Sequence, residues 1–397
     1  MMIAGTTIGY GIVAMPIITS GVWFFNSVIF LIYTWFCMLI SGLMITESYL
    51  NDDSVPNNGN TIKNLLSNNW NIIYNTSIII LLYSLIYTYI DIGTKIFESY
   101  IHHATLFNHN LIKLLFSISI GIIILLSTKI IERISVILII IMIITFIISI
   151  HNLINTVSYN IITNSNHIHA KYYPYIFITL PYLVTSFGYH TIIPIIVAEY
   201  RNNNKLIYYS LLLGTGISLI FYILWEYVIH GNIPRIVFKT HTLDCSNINC
   251  LINYLTHKYI HSNNIEHIIN IFLLATIISS LIGVSIGLSN FIINFINYNS
   301  YNNRRIQSIL LTTVPPMILN VLIPNKYLIN IMEITGIYAS ICTIIIPALL
   351  LQASRKKYPN NKQILPGGKI LIYFILSYGI LIIILQILAL WNMLPIY

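Results

Sequence analysis

Runs of about 20 predominantly apolar residues recur along the whole 397-residue chain, and each is long enough to cross the ~30 Å hydrocarbon core of a bilayer. Backbone exposed to lipid must satisfy its own hydrogen bonds, so unbroken runs of this length are helices. The runs predict about eleven spans, near residues 3–20, 24–49, 72–100, 110–127, 134–154, 174–199, 206–230, 267–298, 306–323, 328–352 and 369–394. The connections are short apart from a polar stretch over 231–266, rich in His and Asn. Charged residues are 8% of the chain, against roughly 25% in an ordinary soluble domain. The expected class is therefore an all-α integral membrane protein, one transmembrane domain over 1–397, whose function lies among its helices. The first run has no basic region before it and no clear cleavage site, so it is expected to be a span and not a removable leader.

The +8 formal charge is informative only by position. The basic residues are densest in the short loops "RNNNK", "NNRR" and "SRKKYPNNK". Short basic loops stay on the cytoplasmic side, which predicts a cytoplasmic N-terminus and a C-terminus on the opposite face. No basic face suited to nucleic acid is present.

Two spans are interrupted. The first reads "AGTTIGYGIVAMP", Ala4 to Pro16, with Gly5, Gly9, Gly11 and Pro16. Taken alone, its glycines fit close helix packing as well as they fit a break. The sixth reads "LPYLVTSFGYHTIIPIIVAEY", with Pro181, Gly188 and Pro194 around Thr185, Ser186 and His190. Interrupted helices five spans apart are how inverted-repeat transporters build a site at the membrane midplane. The N–H groups freed there hold a carboxylate and the freed carbonyls hold an ammonium. An amino acid is the simplest ligand with both groups.

The stretches "AGTTIGYGIVAMP", "GVWFFNSVIFLIYTWFCMLISGLMITESYLN", "TLPYLVTSFGYHTIIP", "YILWEYVIHGNIPR", "SSLIGVSIGLSNF", "LTTVPPMILN" and "PALLLQASRKK" together resemble the aromatic amino acid permeases of bacterial inner membranes, in order and spacing along nearly the whole chain. "WFFNS…TWFCMLISGLMI" and "GNIPR" resemble the tryptophan-specific branch, while "GTTIG" suits the tyrosine-specific branch equally well. The resemblance implies eleven helices in a leucine-transporter-like fold of two inverted five-helix repeats. These would be about 1–154 and 174–352, with an extra helix at 369–394. It implies proton-driven import of an aromatic amino acid, tryptophan first and tyrosine as the alternative. By carry-over, Gly5, Thr6, Thr7, Gly9, Tyr10, Gly11, Ser186, Phe187, Gly188, Tyr189 and His190 would line the site, with Tyr10, Phe187 and Tyr189 as walls for the ring.

Departures from the family pattern bear on coupling. Met1 lies only four residues before Gly5, about half a helix short, which predicts either an upstream start or an eroded inner half. Tyr10 replaces a small residue and narrows the expected pocket. Met142 stands where the fifth helix usually has a lysine, and Asn290 and Asn294 where the eighth has aspartates. A membrane protein that binds an amino acid without transporting it is therefore the alternative from another class.

Ionisable groups within spans are costly and usually functional. Asp91 and Lys95 are one turn apart on the third span and share a face, giving either an ion pair near the outer end or a coupling pair. Glu226, in "WEY", reads either as an interfacial acid beside Trp225 or as a coupling group, and Glu333 reads the same way. His190 is expected to hydrogen-bond across the broken helix more readily than to carry a proton. Cys245 and Cys250, in an outer loop, are free to pair. The histidines of "HIHAK" and "IHHATLFNHN" lack the spacing of a metal site. No nucleophile elbow, HExxH or phosphate loop occurs; "PGGK" at Pro366–Lys369 reads as a turn. Neither an enzyme nor a cofactor is expected.

Overall fold

The protein is described here from a computed structural model covering residues 2–52, 58–100, 109–126, 128–165, 171–200, 203–244, 263–293, 301–323, 328–360, 365–395 and 397. Its regular structure is helical, and no strand occurs among the described residues. In chain order, α1 (Met2–Thr7) and α2 (Tyr10–Ile18) are the halves of an interrupted helix, followed by α3 (Phe24–Asn51), α4 (Asn58–Leu65) and α5 (Asn68–Tyr100). Next come α6 (His109–Leu125), α7 (Thr128–Ile154) and the single turn α8 (Tyr159–Ile162). A second interrupted helix is formed by α9 (Ile176–Ser186) and α10 (Ile193–Tyr200). The chain continues through α11 (Asn204–Asn232), α12 (Arg235–Asp244), α13 (Asn263–Ile293), α14 (Tyr301–Leu322) and α15 (Leu328–Ser340). It ends with α16 (Ile346–Lys357) and α17 (Gly368–Leu390).

Among the described residues, nine helical stretches are long and apolar enough to cross a membrane. The shorter apolar helix Asn110–Leu125 and the interrupted pair α1–α2 lie outside that number. Part of the stretch read from sequence as an outer loop is helical, as α12. The tenth expected span carries a π-turn at Ile341–Ile345 between α15 and α16, a register shift frequent at functional sites.

Burial separates centre from periphery. In an 18-residue stretch of the span containing both halves of the second broken helix 78% of the residues are buried, against 17% in such a stretch of α7. On α7, Ile137, Ile140, Ile144 and Ile147 form an exposed row at helical spacing. An apolar surface of that kind is out of place in water and suits lipid. By contrast Ile8, Ile12 and Met15 of the first broken helix are almost wholly buried. The bundle is thus wrapped around its two broken helices.

At one end of the bundle a buried ion pair closes the packing. Arg355 of α16 donates from Nε to Glu47 Oε1 of α3 at 2.7 Å and from Nη2 to Oε2 at 3.0 Å. The same guanidinium donates to the Leu365 carbonyl at 2.7 Å, and the Leu365 N–H donates to Glu47 Oε2 at 2.9 Å. Both residues of a bidentate pair are therefore held by a third segment. That satisfaction is what a buried charge pair requires.

Candidate substrate site at the two helix breaks

The first helix stops at Thr7 and restarts at Tyr10. Thr6 and Thr7 turn their hydroxyls back onto the Ile3 carbonyl, at 2.9 and 2.5 Å. The Gly9 N–H donates to the Thr7 carbonyl at 2.8 Å, a tight turn in place of a helical bond. No side chain caps the start of α2, so its first N–H groups are available to an anion. Glycine is required here by close approach. A Cβ on Gly11 would lie 2.7 Å from the Tyr222 hydroxyl and 2.8 Å from Ser186 Cβ, and one on Gly9 would lie 2.5 Å from Ser280 Oγ.

The second break falls at Phe187–Tyr189, between α9 and a 3-10 turn at His190–Ile192 that leads into α10. Pro181 is accommodated inside α9, so the interruption is the Phe187–Tyr189 segment and not the proline. No side chain caps the 3-10 turn.

One hydroxyl joins the two breaks. Tyr222 of α11 donates towards the Thr7 carbonyl at 2.6 Å and the Ser186 carbonyl at 2.8 Å. It has a single proton for two acceptors, so the pair of carbonyls retains capacity for a further donor. The Phe187 ring meets the Tyr222 ring edge-on, with centroids 5.3 Å apart. Around this junction stand Ser280 of α13, whose hydroxyl has no hydrogen-bond partner among the described residues, and Tyr89 of α5, whose hydroxyl is close to Gly9.

The expected site residues thus divide. Thr6, Thr7, Gly9 and Gly11 stand at the first break, and Ser186 and Phe187 meet them across Tyr222, whereas Gly5 lies within α1, where a Cβ would come 3.0 Å from Ile139 of α7. The Tyr10 side chain lies outside what the structure describes. Gly188 is exposed. Tyr189 is wholly buried but its hydroxyl donates to the Met38 carbonyl of α3 at 3.1 Å, fastening the second break to that helix. His190 is buried against Tyr189, ring centroids 4.7 Å apart. Neither of its ring nitrogens makes a hydrogen bond among the described residues, so the bond expected across the break is not formed there.

The ionisable candidates also separate. Asp91 is wholly buried and pairs with Lys95 at 2.7 Å, as the spacing predicts. It pairs as well with Lys113 of α6 at 3.1 Å. Lys113 donates to the Asn320 carbonyl of α14 at 3.3 Å, and Asn320 donates to the Tyr87 carbonyl at 2.8 Å. The pair is one corner of a network joining three helices. Glu226, read from sequence as interfacial or coupling, is packed between helices. It has no exposed surface, and Ser27 of α3 lies 2.6 Å from its Oε2. Met142 is buried on α7 and Asn290 is exposed on α13. Asn294, Cys245 and Cys250, most of the two histidine-bearing stretches, and the Glu333 side chain lie outside the described residues.

Tyr222, Tyr89, Ser280 and Lys113 were not marked as site residues by sequence reasoning. Tyr222 opens the stretch "YILWEYVIHGNIPR" but is 215 positions from Thr7, and the stretch does not show that its hydroxyl reaches the breaks.

Comparison with known proteins places this geometry in context. The tryptophan/tyrosine permease family model matches residues 1–386. The tryptophan-specific transport protein of Haemophilus influenzae is 34% identical, with the match covering 98% of this chain and 94% of that protein. The protein of the same description from Pseudomonas aeruginosa is 35% identical, covering 100% and 95%. A crystal structure of MhsT in complex with L-phenylalanine matches with a TM-score of 0.69 at 11% identity, covering 98% of this chain and 97% of that one. The likeness is one of fold, and it agrees with the leucine-transporter-like architecture expected from the sequence.

Proposed function

The chain belongs to the tryptophan/tyrosine permease family, and on that premise we propose that it imports an aromatic amino acid, tryptophan, by proton symport across a bacterial inner membrane. The observation that carries this reading is the junction of the two breaks at Tyr222. A zwitterion needs donors for its carboxylate and acceptors for its ammonium. The uncapped start of α2 supplies donors, and the Thr7 and Ser186 carbonyls supply acceptors. Phe187 and Tyr222 place two aromatic rings beside them, apolar surroundings that suit an aromatic substrate. The relatives' description as tryptophan-specific transport proteins supports tryptophan over tyrosine.

Counting α1–α2 and α6 as spans alongside the nine long helices gives the eleven of the sequence reading. An odd number puts the two termini on opposite faces, the basic short loops favour the cytoplasmic face for the N-terminus, and eleven spans suit two five-helix repeats with α17 as the extra helix. Met142 cannot carry a proton, so coupling must use another ionisable group within the spans; Asp91, with its partner Lys95, and Glu226 are the candidates named from the sequence.

Uptake of labelled tryptophan and tyrosine by proteoliposomes, with and without an inward proton gradient, tests the reading. Gradient-dependent accumulation of tryptophan is the expected result. Preference for tyrosine would reassign the substrate, and specific binding without any uptake would favour the non-transporting alternative.

A further inference from the structure

On α11, Ser218, Tyr222, Glu226 and His230 recur every four residues, and none exposes any surface. Residues four apart on a helix lie one above another, so the four form a single buried polar stripe. Its contacts run along the first broken helix. Tyr222 reaches Thr7 at the break, His230 reaches the Pro16 carbonyl near the other end of α2, and Glu226 lies between them against Ser27. A polar row at membrane depth is expensive, and such rows mark ion and proton pathways.

Hydrogen accounting shows what the stripe holds. The Ser27 hydroxyl has one proton and stands 2.6 Å from Glu226 Oε2 and 2.8 Å from the Phe24 carbonyl. The carbonyl can only accept. With Glu226 as a carboxylate, the single Ser27 proton must be shared between Oε2 and the Phe24 carbonyl, whereas a protonated Glu226 that donates to Ser27 makes both short contacts full hydrogen bonds. Glu226 makes no ion pair among the described residues, so its carboxylate form would be a buried charge without a cation, a costly arrangement. His230 is complementary. Its Nε2 is 2.9 Å from the Pro16 carbonyl and must hold the hydrogen it donates, while Nδ1 has no partner among the described residues. The neutral ring therefore presents a bare proton acceptor.

The groups that bear on the stripe are few. Trp23 stacks on His230 with centroids 4.6 Å apart and Phe238 meets it edge-on at 5.5 Å; Arg235 lies near His230, Thr19 near Glu226 and Tyr89 near Tyr222. Arg235 is itself committed to the Ser20, Gly21 and Lys171 carbonyls and to the Tyr172 and Tyr397 rings.

We propose that His230 and Glu226 carry the coupling proton along α11 to the helix breaks, where Tyr222 links its arrival to the Thr7 and Ser186 carbonyls. A proton taken up at His230 Nδ1 makes the imidazolium. Transfer to a Glu226 carboxylate restores the neutral ring and gives the carboxylic acid. Release of that proton on the far side regenerates the carboxylate for the next cycle. This path rests on the symport reading above, and it assigns Asp91 and Lys95 to the structural network with Lys113.

The test uses the full chain in proteoliposomes and reads two quantities. One is gradient-driven accumulation of labelled tryptophan; the other is gradient-free exchange of labelled for unlabelled tryptophan. Glu226→Gln is expected to exchange like the unaltered protein but to stop when inside and outside concentrations are equal. His230→Gln keeps an N–H for the Pro16 carbonyl yet cannot take up a proton, and the same split is expected. A merely structural His230 would leave accumulation intact in that variant. Accumulation surviving in both variants overturns the path while leaving symport standing, and loss of exchange in both overturns it by making the stripe structural. Failure of the unaltered protein to accumulate overturns symport, and the path falls with it.

Discussion

At the scale of single residues, the breaks depend on what a Cβ would meet. Gly11 is hemmed in by the Tyr222 hydroxyl and Ser186, whereas Gly216, on the same α11 as Tyr222, has nothing within 4 Å of its virtual Cβ. Gly11→Ala should force the breaks apart. Overpacking of this kind costs about 1–3 kcal/mol, so tryptophan affinity should fall by about 10-fold or more where that energy is taken from binding. Gly216→Ala, an exchange that favours a helix by about 1 kcal/mol, should bind as before. Equilibrium binding of labelled tryptophan to the two purified variants checks both, and equal affinity would show that Gly11 is not at the junction. The glycines themselves were legible in the sequence, because only they loosen a helix in so apolar a run. Their partner Tyr222 was not, because it comes from a distant helix and reads locally as one more aromatic in a span.

At the scale of elements, buried charges fasten helices in pairs and triplets. Asp91 holds Lys95 of its own helix and Lys113 of α6, and Lys113 extends the network to α14 through Asn320. Removing one partner from a buried pair costs about 3–5 kcal/mol. Asp91→Asn should therefore lower the thermal unfolding midpoint in detergent markedly, while Lys95→Ala, which leaves the Lys113 pair in place, should lower it less. An unchanged midpoint in Asp91→Asn would return Asp91 to the list of coupling groups. Sequence spacing revealed the Asp91–Lys95 half of this network, since i and i+4 share a face. The Lys113 half depends on how α6 docks on α5, which no local pattern encodes. The burial of Glu226 met the same limit. Its neighbour Trp225 suggests an interfacial position, but the packing of α11 on α3 buries it completely. The positions of both helix breaks, in contrast, followed from Gly9 and Gly188 to within a residue or two, whereas Pro16, Pro181 and Pro194 all lie inside helices.

At the scale of the whole molecule, hydropathy alone gave the class, because runs of about 20 apolar residues leave few other folds. Orientation rests on the basic short loops. In a background with Cys245 and Cys250 replaced by Ser, Asn360→Cys should react with an impermeant thiol reagent from the cytoplasmic face only. Tyr173→Cys, at an exposed position, should react from the opposite face only, and reversal of the two would invert the topology. The central claim is that both broken helices, joined at Tyr222, hold the substrate. A cryo-electron microscopy structure with bound tryptophan tests it most directly. The predicted density has the carboxylate at the start of α2, the ammonium at the Thr7 and Ser186 carbonyls, and the indole beside Phe187. Tryptophan bound elsewhere, with the Tyr222 bridge between the two breaks undisturbed, would contradict the account.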